Sequence, residues 1–135
     1  MTHTPMTLHT ALRARANGLY ACEAATELLI MHAAWLRRSD FLDPFVHTDA
    51  GSINDIPMAD IEWPAAIAAL ENGRLPCSGG DSRILRIAGS LAEGIPVNLR
   101  DTLTGLDATN IELVASAVPH AGGKSDHTST HSKII

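Results

Sequence analysis

The stretch from Leu19 to Leu36 constrains this chain more than any other. It is almost continuously apolar and has about the length of a membrane span, roughly 20 residues. It also carries Glu23, Glu27 and His32. Carboxylates are costly in hydrocarbon, so the expectation is a helix buried in protein. Upstream and through this run, Leu8, Leu12, Leu19, Cys22, Leu29 and Leu36 recur at helical spacing, with Ala at many positions between them. Leu8 to Arg38 therefore reads as one long helix with Gly18 as its interior weak point. A polar stripe of Arg13, Asn17, Tyr20, Glu23 and Glu27 fades after Glu27, and Leu28 to Leu36 is apolar nearly all round. Such a helix belongs at the centre of a bundle or inside an oligomer.

The remaining chain punctuates itself clearly. Ser39 is a suitable N-cap for a short helix over Asp40 to Val46, where Pro44 is tolerable only because the helix has barely begun. His47 to Asp60 reads as a loop, with turn chemistry at Asp49-Ala50-Gly51-Ser52. A third helix follows Pro64, with Trp63, Ile67 and Leu70 on one face and Gly73 placed as a terminating glycine. Ser78 followed by Asp81 resembles a shortened capping box opening a helix to Glu93. There Ile84, Ile87, Ala88, Leu91 and Ile95 form one stripe, and Gly94 and Pro96 end it. Asn98 caps a fifth helix bearing Leu99, Leu103 and Leu106. Asp107 caps a sixth, with Ile111, Val114, Ala115 and Val118 at helical spacing, stopped by Pro119 and Gly122-Gly123. No alternation of period two persists. The expected fold class is all-α: a single-domain bundle of about five or six helices around the long apolar N-terminal helix. Residues 1–7 are expected as a flexible N-terminus, 8–121 as the helical domain and 122–135 as a disordered tail.

With 135 residues, 45% of them hydrophobic, the chain can bury one core. Its five aromatics, Tyr20, Trp35, Phe41, Phe45 and Trp63, all lie in the first half, so Ala, Leu and Ile must supply most of the packing. The formal net charge of -5 excludes a strongly basic nucleic-acid binder. The charge is unevenly placed, since residues 39–73 hold seven acids (Asp40, Asp43, Asp49, Asp55, Asp60, Glu62, Glu71) and no Lys or Arg. Arg74, Arg83, Arg86 and Arg100 follow, and loose pairing with the acidic segment is the simplest expectation. Two cysteines make no disulfide framework, and the N-terminus lacks the basic and apolar regions of a secretory signal, so a cytoplasmic protein is expected.

Three kinds of chemistry can be weighed. Residues 98–118 form a possible helix-turn-helix, but the second helix holds no Lys or Arg and one Glu, Glu112. DNA affinity rests on phosphate contact, so a DNA role needs Arg83, Arg86 and Arg100. For metal binding, His127 and His131 have i, i+4 spacing in a segment without helix-forming character, and His32 is better read as a hydrogen-bonded core histidine. For catalysis, Cys77 stands in the loop Pro76-Cys77-Ser78-Gly79-Gly80 at a helix N-terminus, where a thiolate is favoured. The same glycines could offer N–H groups to an anion, without the Lys or preceding strand of a phosphate-binding loop. Glu23 and Glu27 read as a solvated face. No catalytic, cofactor-binding or metal-ligating residue is assigned and no cofactor is expected.

The string Leu85-Arg86-Ile87-Ala88-Gly89-Ser90-Leu91-Ala92-Glu93-Gly94-Ile95-Pro96-Val97, then Leu99-Arg100-Asp101-Thr102-Leu103-Thr104-Gly105-Leu106-Asp107, resembles small uncharacterised helical proteins of high-GC actinobacteria. Trp63-Pro64-Ala65-Ala66 and Leu75-Pro76-Cys77-Ser78 are similar to the same group, and the resemblance covers most of residues 8–121. It implies a cytoplasmic bacterial setting and carries no activity. The functional expectation is a non-enzymatic interaction or accessory protein whose partner is another protein or a second copy of itself, with no membrane association. Its interaction candidates are Arg83, Arg86, Arg100, Trp35, Phe41 and Phe45. The alternative is a DNA-binding regulator using the 98–118 hairpin with Arg83, Arg86 and Arg100.

Overall fold

The computed structural model describes residues 5–49 and 57–124. The long helix expected over Leu8–Arg38 is three pieces: α1 (Pro5–Ala16), α2 (Tyr20–His32) and one 3-10 turn (Trp35–Arg37). The first break is at Gly18, whose φ of 92° suits glycine and ends the α-helical path. The Leu19 N–H still reaches the Ala16 carbonyl at 3.1 Å, and the Gly18 N–H donates to the Glu23 carboxylate at 2.8 Å. Glu23 thus holds the start of α2, whose N-cap Leu19 has no side chain to do so. The second break is at Ala33, held at φ 76° with its N–H on the Leu29 carbonyl at 2.9 Å. Alanine seldom occupies that region, and doing so costs roughly 1–2 kcal/mol.

These breaks let α1 fold back against α2 and the sheet. They also change what the apolar run does. Leu28, Leu29, Ile30, Trp35 and Leu36 are all buried within this one chain. Of that run, Met31 is the large apolar residue left outside, 63% exposed. The burial inferred from an all-round apolar helix is real, and the chain's own elements supply it.

The short helix α3 (Ser39–Phe45) follows, and Phe41 fills the core beside Trp35 with ring centroids 5.4 Å apart. The expected loop His47–Asp60 instead contains strand pairing. Strands β1 (Val46–Asp49) and β2 (Met58–Ile61) run antiparallel in the register Val46↔Ile61 to Asp49↔Met58. Val46, Ala59 and Ile61 turn inward while His47, Thr48, Asp49 and Asp60 face solvent. The all-α expectation is therefore corrected to a mostly helical domain with one two-stranded sheet. Four-residue strands give too few alternations for a period-two signal to emerge, and the pairing alone reveals the inward side.

Three later helices begin where their caps require. In α5 (Gly79–Glu93), α6 (Leu99–Thr104) and α7 (Ala108–Ala121), the side chains of Ser78, Asn98 and Asp107 accept the N–H of Asp81, Asp101 and Asn110 respectively. Gly94 closes α5 in the left-handed region at φ 72°. Helix α4 (Trp63–Glu71) lies on α5, where Gly89 lets Ile67 approach closely. Helix α7 passes through Pro119 and ends at Ala121, so the proline shortens the ladder without stopping the helix. At the N-terminus α1 begins at Pro5, earlier than Leu8. Residues 125–135, including His127, His131 and most of the expected tail, and the turn residues after Asp49 lie outside the described residues.

Helix α2 is the hub. It packs against α5 on one side and α7 on another, with α1 across its start. No helix among the described residues is long and apolar enough to cross a membrane.

Candidate functional site

The two ends of α2 are each tied to antiparallel α7 through a histidine. At the C-terminal end, His32 is buried, its side chain 8% exposed. Its Nε2 lies 2.9 Å from Asp81 Oδ1 and its Nδ1 lies 3.1 Å from Asn110 Oδ1. Asp81 collects further bonds. Its carbonyl accepts the Trp35 indole N–H at 2.8 Å, and its own N–H donates to Ser78 Oγ at 3.1 Å. Outside this knot, the Arg38 guanidinium lies 4.7 Å over the Trp35 ring, donates to the Pro76 carbonyl and pairs bidentately with Asp40. The expectation of a hydrogen-bonded core histidine at 32 matches this geometry. Both ring nitrogens of His32 have a partner, and no buried side-chain polar atom among the described residues lacks one, so the knot joins α2, α5 and α7.

The N-terminal end of α2 is open. Glu23 Oε1 accepts from His120 Nε2 at 2.9 Å. Those two hydrogen bonds, from His120 and from the Gly18 N–H, hold the Glu23 carboxyl below its ordinary value against partial desolvation. Glu27, one turn on, accepts the Arg13 guanidinium at 2.7 and 3.1 Å. Between α2 and α7 runs a groove of about 270 Å³ with a floor of Ala24, Leu28, Leu113 and Ala117, and with Met31, Ser116, Glu27 and His120 on its walls. A shallower pocket of about 160 Å³ continues it toward α1 past Arg13, Asn17 and Glu23. On the opposite flank of α7, Ile111 and Val118 are 37% and 58% exposed. The helical stripe expected at Ile111, Val114, Ala115 and Val118 is thus divided, with Val114 buried and the other three outward.

The sequence-derived interaction residues separate into core and surface. Trp35 and Phe41 are fully buried, and Phe45 is half-buried against the same core 6.0 Å from Phe41. The first two serve the fold of this chain instead of offering it a surface, since large aromatic rings repay burial most. Arg86 bonds Glu71 at 3.0 Å, Arg100 is exposed, and Arg83 is half-buried. Of the four arginines after the acidic segment, Arg86 alone pairs with it among the described residues. Asp40 and Asp60 are met by Arg38 and Arg15 from upstream.

The expectation that Cys77 sits at a helix N-terminus holds, since α5 opens two residues on. The thiol is nonetheless pushed up, chiefly by desolvation and by the Asp81 carboxylate, which outweigh Arg38 and Arg86. Cys22 contacts the Ala92 carbonyl. Among the described residues, no group of three or more His, Cys, Asp or Glu is placed to hold a metal. The α2–α7 groove was missed by sequence reasoning because Met31 lies in a run read as apolar nearly all round and Leu113 lies outside the stripe of Ile111, Val114, Ala115 and Val118. Only the antiparallel crossing shows that they line one opening. Comparison with family models, curated proteins and solved structures finds no match to this chain.

Proposed function

We propose that this chain is a small non-enzymatic interaction protein that self-associates through the open α2–α7 face. The carrying observation is the apolar-floored groove with Met31 standing 63% exposed on its wall. A two-fold dimer uses one patch twice, so Met31 of each copy can cover the groove of the other. Glu27 and His120 would form a polar rim around the apolar centre, the usual layout of a specific interface. The expected dimer contact through the Leu28–Leu36 run narrows to Met31 at this face, because the chain buries Leu28, Leu29, Ile30, Trp35 and Leu36 itself. Two free thiols and the actinobacterial resemblance support a cytoplasmic, bacterial setting.

The alternative of a DNA-binding regulator draws on α6 and α7, which do form two capped helices about Gly105. It ranks second because the outward face of α7 carries Ile111, Glu112, Ala115 and Val118 and no cation.

Sedimentation equilibrium on the wild type and Met31→Glu tests the reading. The expected result is a dimer at high micromolar concentration for the wild type and a monomer with unchanged circular dichroism for the variant. A wild-type monomer at that concentration, or a variant that dimerises as well as the wild type, overturns it.

A further inference from the structure

On the far side of α5 from the α2–α7 groove, Arg83 lies in an unusual place. Its guanidinium crosses Gly105, in the turn between α6 and α7, and runs beside Gly79, the first residue of α5. A side chain at either glycine would collide with it. Neither glycine is in the left-handed region, and a side chain at either would make the guanidinium move aside. Half-buried there, Arg83 makes no hydrogen bond or ion pair among the described residues. A guanidinium brings five N–H donors, and those of Arg83 reach solvent with no acceptor from the chain.

Arg86 stands three residues on, where like charges on a helix repel. Glu71 meets it at one nitrogen only, 3.0 Å from Nη1. Between the two arginines opens a cleft of about 240 Å³, lined by Gly79, Ser82, Arg83, Arg86, Asp101 and Thr102. A tetrahedral oxyanion in the cleft would give Arg83 the acceptors it lacks, in the forked geometry that guanidinium and phosphate share. It would also neutralise the repulsion between the two arginines, and the Ser82 hydroxyl is a further donor. Asp101 is the carboxylate on the lining, and it opposes an anion. We propose that this cleft between α5 and α6 binds a small phosphate or phosphomonoester, with Arg83 as its principal ligand and Arg86 as its second. The site is independent of self-association and uses none of its residues.

Isothermal titration of the full chain with inorganic phosphate, against chloride at equal ionic strength, tests the assignment. The wild type is expected to bind phosphate saturably at one site. Arg83→Gln should weaken binding about tenfold or more, as expected for losing charge-assisted bonds. Arg83→Lys keeps the charge but loses the fork, so it should fall between the two. Asp101→Asn removes the opposing carboxylate and should tighten binding. Absence of saturable phosphate binding in the wild type overturns the proposal, as does equal binding by Arg83→Gln with native circular dichroism. A third contrary result is short duplex DNA binding through Arg83, with steep salt dependence, while inorganic phosphate does not bind.

Discussion

The two ends of α2 use the same device to opposite effect. Each joins α7 through a histidine and a side-chain oxygen, His32 with Asn110 and His120 with Glu23. At the C-terminal end the histidine is closed over by Asp81, Trp35 and Asn110, and its donors and acceptors are used up inside the chain. At the N-terminal end the Glu23–His120 hydrogen bond places His120 on the wall of an open groove, which continues along α2 over half-buried Leu113 to exposed Met31. A pair surrounded by matched partners stiffens a junction of three helices. A pair beside an unfilled apolar floor leaves surface for another molecule. Stability is thus concentrated in the knot around His32, and recognition along the groove that runs from Ala24 to Met31 on the α7 side of α2.

The strongest way to break this contrast is at the closed end. Trp35→Ala removes a fully buried ring and its hydrogen bond to the Asp81 carbonyl, and it should cost about 3–5 kcal/mol in urea unfolding. A loss below about 1 kcal/mol would mean the knot is not the structural centre. Next is His32→Ala, which leaves Asp81 and Asn110 facing an empty site and should cost about 1–3 kcal/mol. The matched change at the open end, His120→Ala, should cost less than about 1 kcal/mol because its pair is partly solvated. Equal losses for the two histidines would erase the distinction.

Of the opposite sign is Ala33→Gly, which ends the strain of φ 76° at the close of α2. Offset by the entropy of glycine in the unfolded chain, it should stabilise by about 0.5–1 kcal/mol. The smallest effect is the pH dependence of the open end. The folded-state pKa of Glu23 is depressed, so its contribution is complete above the ordinary glutamate value. It is lost as pH falls through the depressed value. Wild type should therefore lose stability more steeply than Glu23→Gln on acidification below pH 4.5, by thermal unfolding across a pH series. Parallel profiles would remove Glu23 as a tether.

How far the sequence revealed this depended on which residues carried the signal. Caps are local, so Ser78, Asn98 and Asp107 announced α5, α6 and α7 before any packing was known. Gly18 was marked as the weak point of the N-terminal run, but good helix formers on both sides argued for continuity, and the break at Ala33 had no signal at all. Nothing in a single alanine marks a positive φ, which tertiary contacts impose. The strand pair was hidden by its brevity. His32 was legible as a core histidine, since an apolar helix leaves a polar ring only a bonded place to go. Its partners Asp81 and Asn110 were not, because they come from helices 49 and 78 residues downstream. The groove had no local signal at all. It exists only where α2 and α7 cross, and Met31 shows as exposed only once its neighbours are placed.

The contrast between the knot and the groove is tested most directly by backbone amide NMR of the wild type over a concentration series. Resonances of Met31, Leu113, Ser116 and Ala117 should shift on concentration, while those of Trp35 and Asp81 stay fixed. Shifts centred instead on Trp35 and Asp81, or a spectrum unchanged up to high micromolar concentration, would contradict the assignment of recognition to the α2–α7 groove.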